Sequence, residues 1–163
     1  MAHTAYLTIN GETQGLISSG CNTQDSMGNK CQLSHVDEIT VLSTEYSMTK
    51  SAGGAGSNNA PVVITKCIDK ASPLIAAAFS RQEPMDCTIK FYRTNDRGGN
   101  ENYYTIDLKK ALIVSCDFSQ PHTVSSHKED MHETVSFTYR DIIWNHNIAG
   151  TMGYATWENN EDT

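Results

Sequence analysis

From Tyr104 to Phe118 the large apolar residues fall almost entirely on even positions: Tyr104, Ile106, Leu108, Leu112, Val114, Cys116 and Phe118. A period of two places such a set on one side of an extended strand, because successive side chains of a strand point to opposite faces. The odd positions carry Thr105, Asp107 and Lys109, with apolar exceptions at Ala111 and Ile113. One side of the strand therefore faces a core, and the other faces water or a partner.

The rest of the chain is organised around similar runs. Thr4–Ile9 alternates and ends at Asn10-Gly11, a turn dipeptide. Ile39–Met48 and the β-branched run Val62–Ile68 after Pro61 are further strands. Cys87, Ile89 and Phe91 alternate before a hairpin turn at Asp96–Asn100. Glu133–Trp144 changes phase, with Val135, Phe137 and Tyr139 on odd positions and Ile142 and Trp144 on even ones. A bulge near Arg140-Asp141 produces such a change, as does a strand long enough to leave its own barrel. Met152–Trp157 reads as a final short strand before an acidic, disordered tail from about residue 158.

One helix is predicted, starting at Ser72-Pro73. Ser is a strong N-cap, and Pro suits a first turn whose N–H groups have no intrahelical partner. Leu74, Ile75, Ala78 and Phe79 share a face, and the helix ends by Arg81 and Pro84. So short a helix must dock on the sheet. Residues 10–35 lack periodicity, and Ser51–Asn59 is flexible by composition. Seven or so strands and one short helix predict a mainly β fold, a barrel or sandwich with the helix packed against it. At 163 residues, with no repeat or linker, the chain is read as a single domain spanning 1–163.

Charge and motifs exclude several function classes. The net charge is −7, and no basic run exceeds Lys109-Lys110, so nucleic acid is not an expected partner. The N-terminus has no signal-peptide pattern, and no segment is apolar enough to insert in a membrane. The five cysteines are odd in number and none is spaced as CxxC. Cys87 and Cys116 read as small core residues in a reduced compartment, whereas Cys21 and Cys31 lie in a polar stretch as candidate exposed thiols. The glycines of residues 53–58 are followed by Asn, Ala, Pro and a strand, not by the Gly-Lys-Ser/Thr and helix of a phosphate loop. His122, His127 and His132 are spaced by five, which suits neither a helical nor a cross-strand metal site. A solvated loop is the preferred reading, with a small metal-dependent hydrolase as the alternative. No Gly-x-Ser-x-Gly elbow is present. No cofactor and no catalytic residue is expected.

Three segments share a resemblance: Val63–Leu74 (VITKCIDKASPL), Tyr103–Val114 (YYTIDLKKALIV) and Glu133–Trp144 (ETVSFTYRDIIW). In this order they resemble the haemolysin-coregulated protein (Hcp) family, which forms the tube of bacterial type VI secretion systems. The opening Ala2–Glu12 and the region Ser43–Lys50 are similar to the enterobacterial branch. The resemblance implies a β-barrel of two sheets with a short flanking α-helix, assembling into a ring. It implies a homohexamer with a central channel, rings stacked into a tube, sheath and spike proteins as partners, and small secreted effectors in the lumen. It also implies synthesis in the bacterial cytoplasm and export through the type VI machine. By this analogy Ser51, Gly53, Gly54, Gly56, Ser57, Asn58 and Asn59 belong to a loop that reaches between rings, and residues 10–35 contribute subunit contacts. Some relatives carry a C-terminal toxin domain; a chain ending at Thr163 is expected to have none.

Overall fold

A computed structural model describes residues 3–50, 57–125 and 130–156. Its strands are β1 (Thr4–Gly11), β2 (Gly15–Leu16), β3 (Ile39–Glu45), β4 (Met48–Lys50), β5 (Ser57–Asn59) and β6 (Val62–Cys67), followed by β7 (Met85–Thr94), β8 (Asn100–Ser119), β9 (His132–Thr138), β10 (Asp141–His146) and β11 (Thr151–Thr156). Two helices, α1 (Gln24–Met27) and α2 (Ser72–Arg81), and two 3-10 turns complete the described chain.

Six strands close on themselves in the order β8-β7-β1-β3-β6-β9 and back to β8, every pair antiparallel. Closure leaves these strands without free edges. The expected barrel with a flanking helix is present, and its strands form one continuous hydrogen-bonded circuit. Leu7, Ile9, Ile39, Ile64, Ile89, Ile106, Leu108 and Phe137 fill it from all sides. β10 and β11 extend from the barrel as a ribbon hydrogen-bonded to the first half of β8.

β8 carries three extra residues: one lies between Asn102 and Tyr104, where its partner on β7 moves only from Tyr92 to Phe91, and the other two bear on closure. From Leu108 to Ala111 its partner on β7 moves only from Cys87 to Met85, and Lys110 in this bulge has φ 49°. From Ile113 to Ser115 the partner on β9 moves only from Phe137 to Ser136. Each extra residue reverses which face the following side chains occupy. The apolar exceptions of the sequence pattern, Ala111 and Ile113, are therefore core residues. Leu112 and Val114 do not share the core face expected of them, and Val114 is 44% exposed. Cys116 packs against the core again, while Phe118, near the strand's end, is exposed. β9 and β10 lie in succession along the same edge of β8, and the expected change of phase is the break between them at Tyr139-Arg140.

α2 has the predicted bounds, but Ala71 occupies its N-cap position and Ser72 is already helical. Its start is held instead by Asp69, whose Oδ1 accepts a hydrogen bond from the Ala71 N–H at 2.9 Å. Ile75 and Ala78 are buried, whereas Phe79 turns toward solvent. Gln82 ends the helix with φ 53°, its N–H reaching the Ala78 and Phe79 carbonyls.

The aperiodic stretch 10–35 is structured rather than loose. Asn22 is its hub: Nδ2 donates to Glu38 O (2.6 Å) and Thr40 Oγ1 (3.1 Å), and Oδ1 accepts from the Gln32 N–H (3.0 Å). Ile17, Ser18 and Cys21 are fully buried beside it, so Cys21 is not the exposed thiol expected from its polar neighbours. Over the outer face of β1, the His35 ring stacks on Tyr6 with centroids 3.7 Å apart and meets Tyr92 edge-on. Residues 51–56 of the flexible loop and the tail from 158 lie outside the described residues. The loop's end is a strand, because β5 pairs with β4 in a small separate ribbon.

Replacing Asn22 by Ala removes several partners at once and leaves partly buried backbone groups of Gln32 and Glu38 unsatisfied. The expected loss is about 1–3 kcal/mol of stability, read by urea titration.

Candidate functional site

The most concentrated chemistry in the molecule is a buried charge cluster where α2 begins. Lys66 occupies an inward position of β6, in phase with Val62 and Ile64, and its side chain is fully buried. Its Nζ donates to Cys67 O (2.9 Å) and Ser72 Oγ (3.1 Å), and pairs with Asp69 Oδ1 (3.0 Å) and with Glu133 Oε1. Glu133 lies opposite Lys66 in the β6–β9 register and also accepts from the Ser72 hydroxyl (2.8 Å). Two barrel strands and the first turn of α2 therefore meet at one ammonium. Burial pushes the Asp69 carboxyl above its ordinary range, against the opposing pull of Lys66.

This cluster holds the fold together and is closed to chemistry on an outside substrate. The nearby thiols are poor nucleophiles: burial, then the charge of Asp69, raises Cys21 to about 12, and burial also raises Cys116. Among the described residues, no three His, Cys, Asp or Glu side chains are placed to hold a metal ion. His122 accepts the N–H groups of Val124 and Ser125 in its own turn, and His132 lies 3.2 Å from the Asp130 carbonyl. His127 lies outside the described residues. The sequence alternative of a three-histidine site thus has only two members in view, each engaged locally.

Two unlike apolar features stand out on the surface of the described residues. On the β10–β11 ribbon, Tyr154 lies opposite Ile143 and Met152 opposite Asn145, so these four share the outer face. Met152 is 71% exposed and Tyr154 58%. The other face carries Ile142, Trp144 and Ala155 against the core. Gly153 lies opposite Trp144, and a Cβ there would sit 3.4 Å from the indole. Asp141 is held below the usual carboxylate range by its hydrogen bonds from Thr156 and then Tyr154. Among the described residues, β11 has a strand neighbour on one side only. The second feature is a groove of about 410 Å³ between Leu42, on the bulge of β3, and Met131, with Lys30, Thr65, Cys67 and His132 around it.

Of the expected ring-contact loop, Ser57, Asn58 and Asn59 form β5, and Ser51, Gly53, Gly54 and Gly56 lie outside the described residues. Neither the ribbon's outer face nor the charge cluster was singled out by the sequence. The alternation in Met152–Trp157 was visible, but not which side it would leave open. The one local signal for Lys66 is a charged residue inside the β-branched run Val62–Ile68.

Removing one member of the cluster strands the others. Lys66→Met leaves two buried carboxylates facing each other and is expected to cost about 3–5 kcal/mol. Adding Asp69→Asn and Glu133→Gln to it should recover most of that loss in the same urea titration, since no unpaired charge then remains.

Comparison with known proteins agrees with this architecture. Residues 6–146 match the family model described as type VI secretion system effector, Hcp. The chain is 40% identical to the major exported protein of Pseudomonas aeruginosa, with 96% of each chain covered. A crystal structure of an Hcp protein, 31% identical, superimposes with a TM-score of 0.90 over 97% of this chain and 99% of that one. The secreted protein Hcp3 from Pseudomonas aeruginosa, 38% identical, does so with a TM-score of 0.86 over 97% and 100%. The family-model match runs from β1 to β10, through the barrel, α2 and the first strand of the ribbon, and the chain belongs to the Hcp family of the type VI secretion system.

Proposed function

We propose that this chain is a structural subunit of a type VI inner tube: six copies close into a ring, rings stack, and small effectors ride in the lumen. The observation that carries this reading is the presence of two different sticky surfaces on one subunit. Among the described residues, the outer face of the β10–β11 ribbon carries exposed Met152 and Tyr154 beside an edge with no strand neighbour, and the Leu42–Met131 groove is a separate concavity. A ring needs head-to-tail contacts between unlike surfaces, and a free strand edge is a ready template for a neighbour. The whole chain, 1–163, acts as one tube domain in this reading.

The β4–β5 ribbon and the loop Ser51–Asn59 at its tip are assigned to contacts between stacked rings. Small residues suit a segment that orders on contact, since the new interface offsets the ordering cost. Sheath and spike proteins are the further partners. The subunit leaves the cytoplasm through the machine it builds, in keeping with a relative described as a major exported protein. Its role is structural, with no catalytic step and no cofactor.

Native mass spectrometry at micromolar concentration tests ring formation directly. A dominant hexamer is expected, and a strict monomer at every concentration overturns the reading. Met152→Asp combined with Tyr154→Asp should weaken assembly at least about tenfold, because burying either charge unpaired is costly. Deleting residues 52–56 should leave rings intact and abolish long tubes in negative-stain electron microscopy.

A further inference from the structure

The charge cluster at the start of α2 does not balance. One ammonium, Lys66, faces two carboxylates, Asp69 and Glu133, and all three side chains are almost fully buried. The ammonium has three hydrogens, yet four acceptors surround it: Cys67 O, Ser72 Oγ, Asp69 Oδ1 and Glu133 Oε1. The single Ser72 hydroxyl proton is committed to Glu133. Asp69 Oδ1 is supplied twice, by Lys66 and by the Ala71 N–H, while Asp69 Oδ2 is sealed from water with no hydrogen-bond partner. A buried ionised oxygen without a donor is the costly member of such a set.

The groups that bear on Asp69 and its partners come from every adjoining element. Lys66 lies on β6, and Lys70 and Ser72 lie at the start of α2. Cys21 belongs to the 10–35 segment, Cys116 and Asp117 to β8, and Glu133 to β9. Both thiols are pushed up by burial and stay neutral in mild acid. Among the described residues Lys66 is thus the one cation inside the cluster, and a full negative charge is left over.

We propose that the Lys66–Asp69–Glu133 cluster takes up one proton, on the unpartnered oxygen of Asp69, as the medium becomes mildly acidic, and that this proton tightens the docking of α2 on β6 and β9. The subunit is then hardened by mild acid at this site, the reverse of the usual effect on paired carboxylates. The sign follows from linkage. Asp69 is more basic in the folded chain than its ordinary value of 3.8, so between 3.8 and the folded value the folded state binds the extra proton. The stabilisation is complete below 3.8 and is lost as pH rises through the folded value. The inference concerns the fold of one subunit and holds whether or not rings form.

The test is urea unfolding of the full chain at one protomer concentration, from pH 4.5 to 8, for the wild type, Asp69→Asn and Glu133→Gln. Asp96→Asn, in the hairpin turn, serves as control. Relative to Asp69→Asn, the wild-type folding constant should rise by up to about tenfold per pH unit of acidification through the window. Glu133→Gln should remove the same rise, because Lys66 then balances Asp69 alone, and the control should keep it. Parallel pH curves for the wild type and Asp69→Asn overturn the proposal. If neither cluster variant folds, an infrared titration of the wild type decides. A protonated carboxyl that persists after the other carboxylates have ionised supports the proposal, and its absence overturns it.

Discussion

A single strand closes this molecule. β8 hydrogen-bonds to β7 along one edge and to β10 and then β9 along the other, so it is both the last stave of the barrel and the root of the ribbon. A straight strand of 20 residues would run out of the barrel. The bulges at Lys110 and Val114 bend β8 and let its two halves serve different partners. Lys110 adopts a left-handed backbone there although it is not glycine, a strain the surrounding pairing has to sustain. If the bulges were removed, Ala111 and Ile113 would face outward and the core would lose two of its side chains.

Where the barrel meets α2, polar chemistry takes over from apolar packing. Lys66 stands at a position the strand pattern reserves for a core residue, and joins β6, β9 and the helix start through one ammonium. Buried ion pairs seldom add net stability over a hydrophobic replacement, but they penalise alternatives that leave one partner alone. A slip of β9 by one residue against β6 would carry Glu133 to the outer face and strand Lys66. The cluster therefore fixes register as much as it adds strength, and its surplus carboxylate makes that fixation sensitive to protons.

The outside of the barrel divides the labour differently. The 10–35 segment covers the β1 face, with His35 stacked on Tyr6. Among the described residues the ribbon is left uncovered, with Met152 and Tyr154 outward beside an open edge. Monomeric proteins commonly blunt such edges with charge, proline or a covering loop. An open edge of this kind is what the proposed assembly with copies of this chain would use.

The sequence by itself determined the element types. Period-two alternation marked the barrel strands, the Asp96–Asn100 turn marked a hairpin, and Ser72-Pro73 with the following apolar residues located α2, one residue off at its N-cap. These are local signals, written within a few residues of where they act. Which residues the core would claim along β8, and which polar residues it would bury, were decided only by the tertiary structure. The bulges of β8 are defined by the registers of β7 and β9. Asn22 is held by partners 10 to 18 residues further on, Gln32, Glu38 and Thr40, and Lys66 is tolerated because Glu133 arrives 67 residues later. Periodicity carries no information about partners so far along the chain, so the barrel was legible in the sequence and the chemistry that locks it was not.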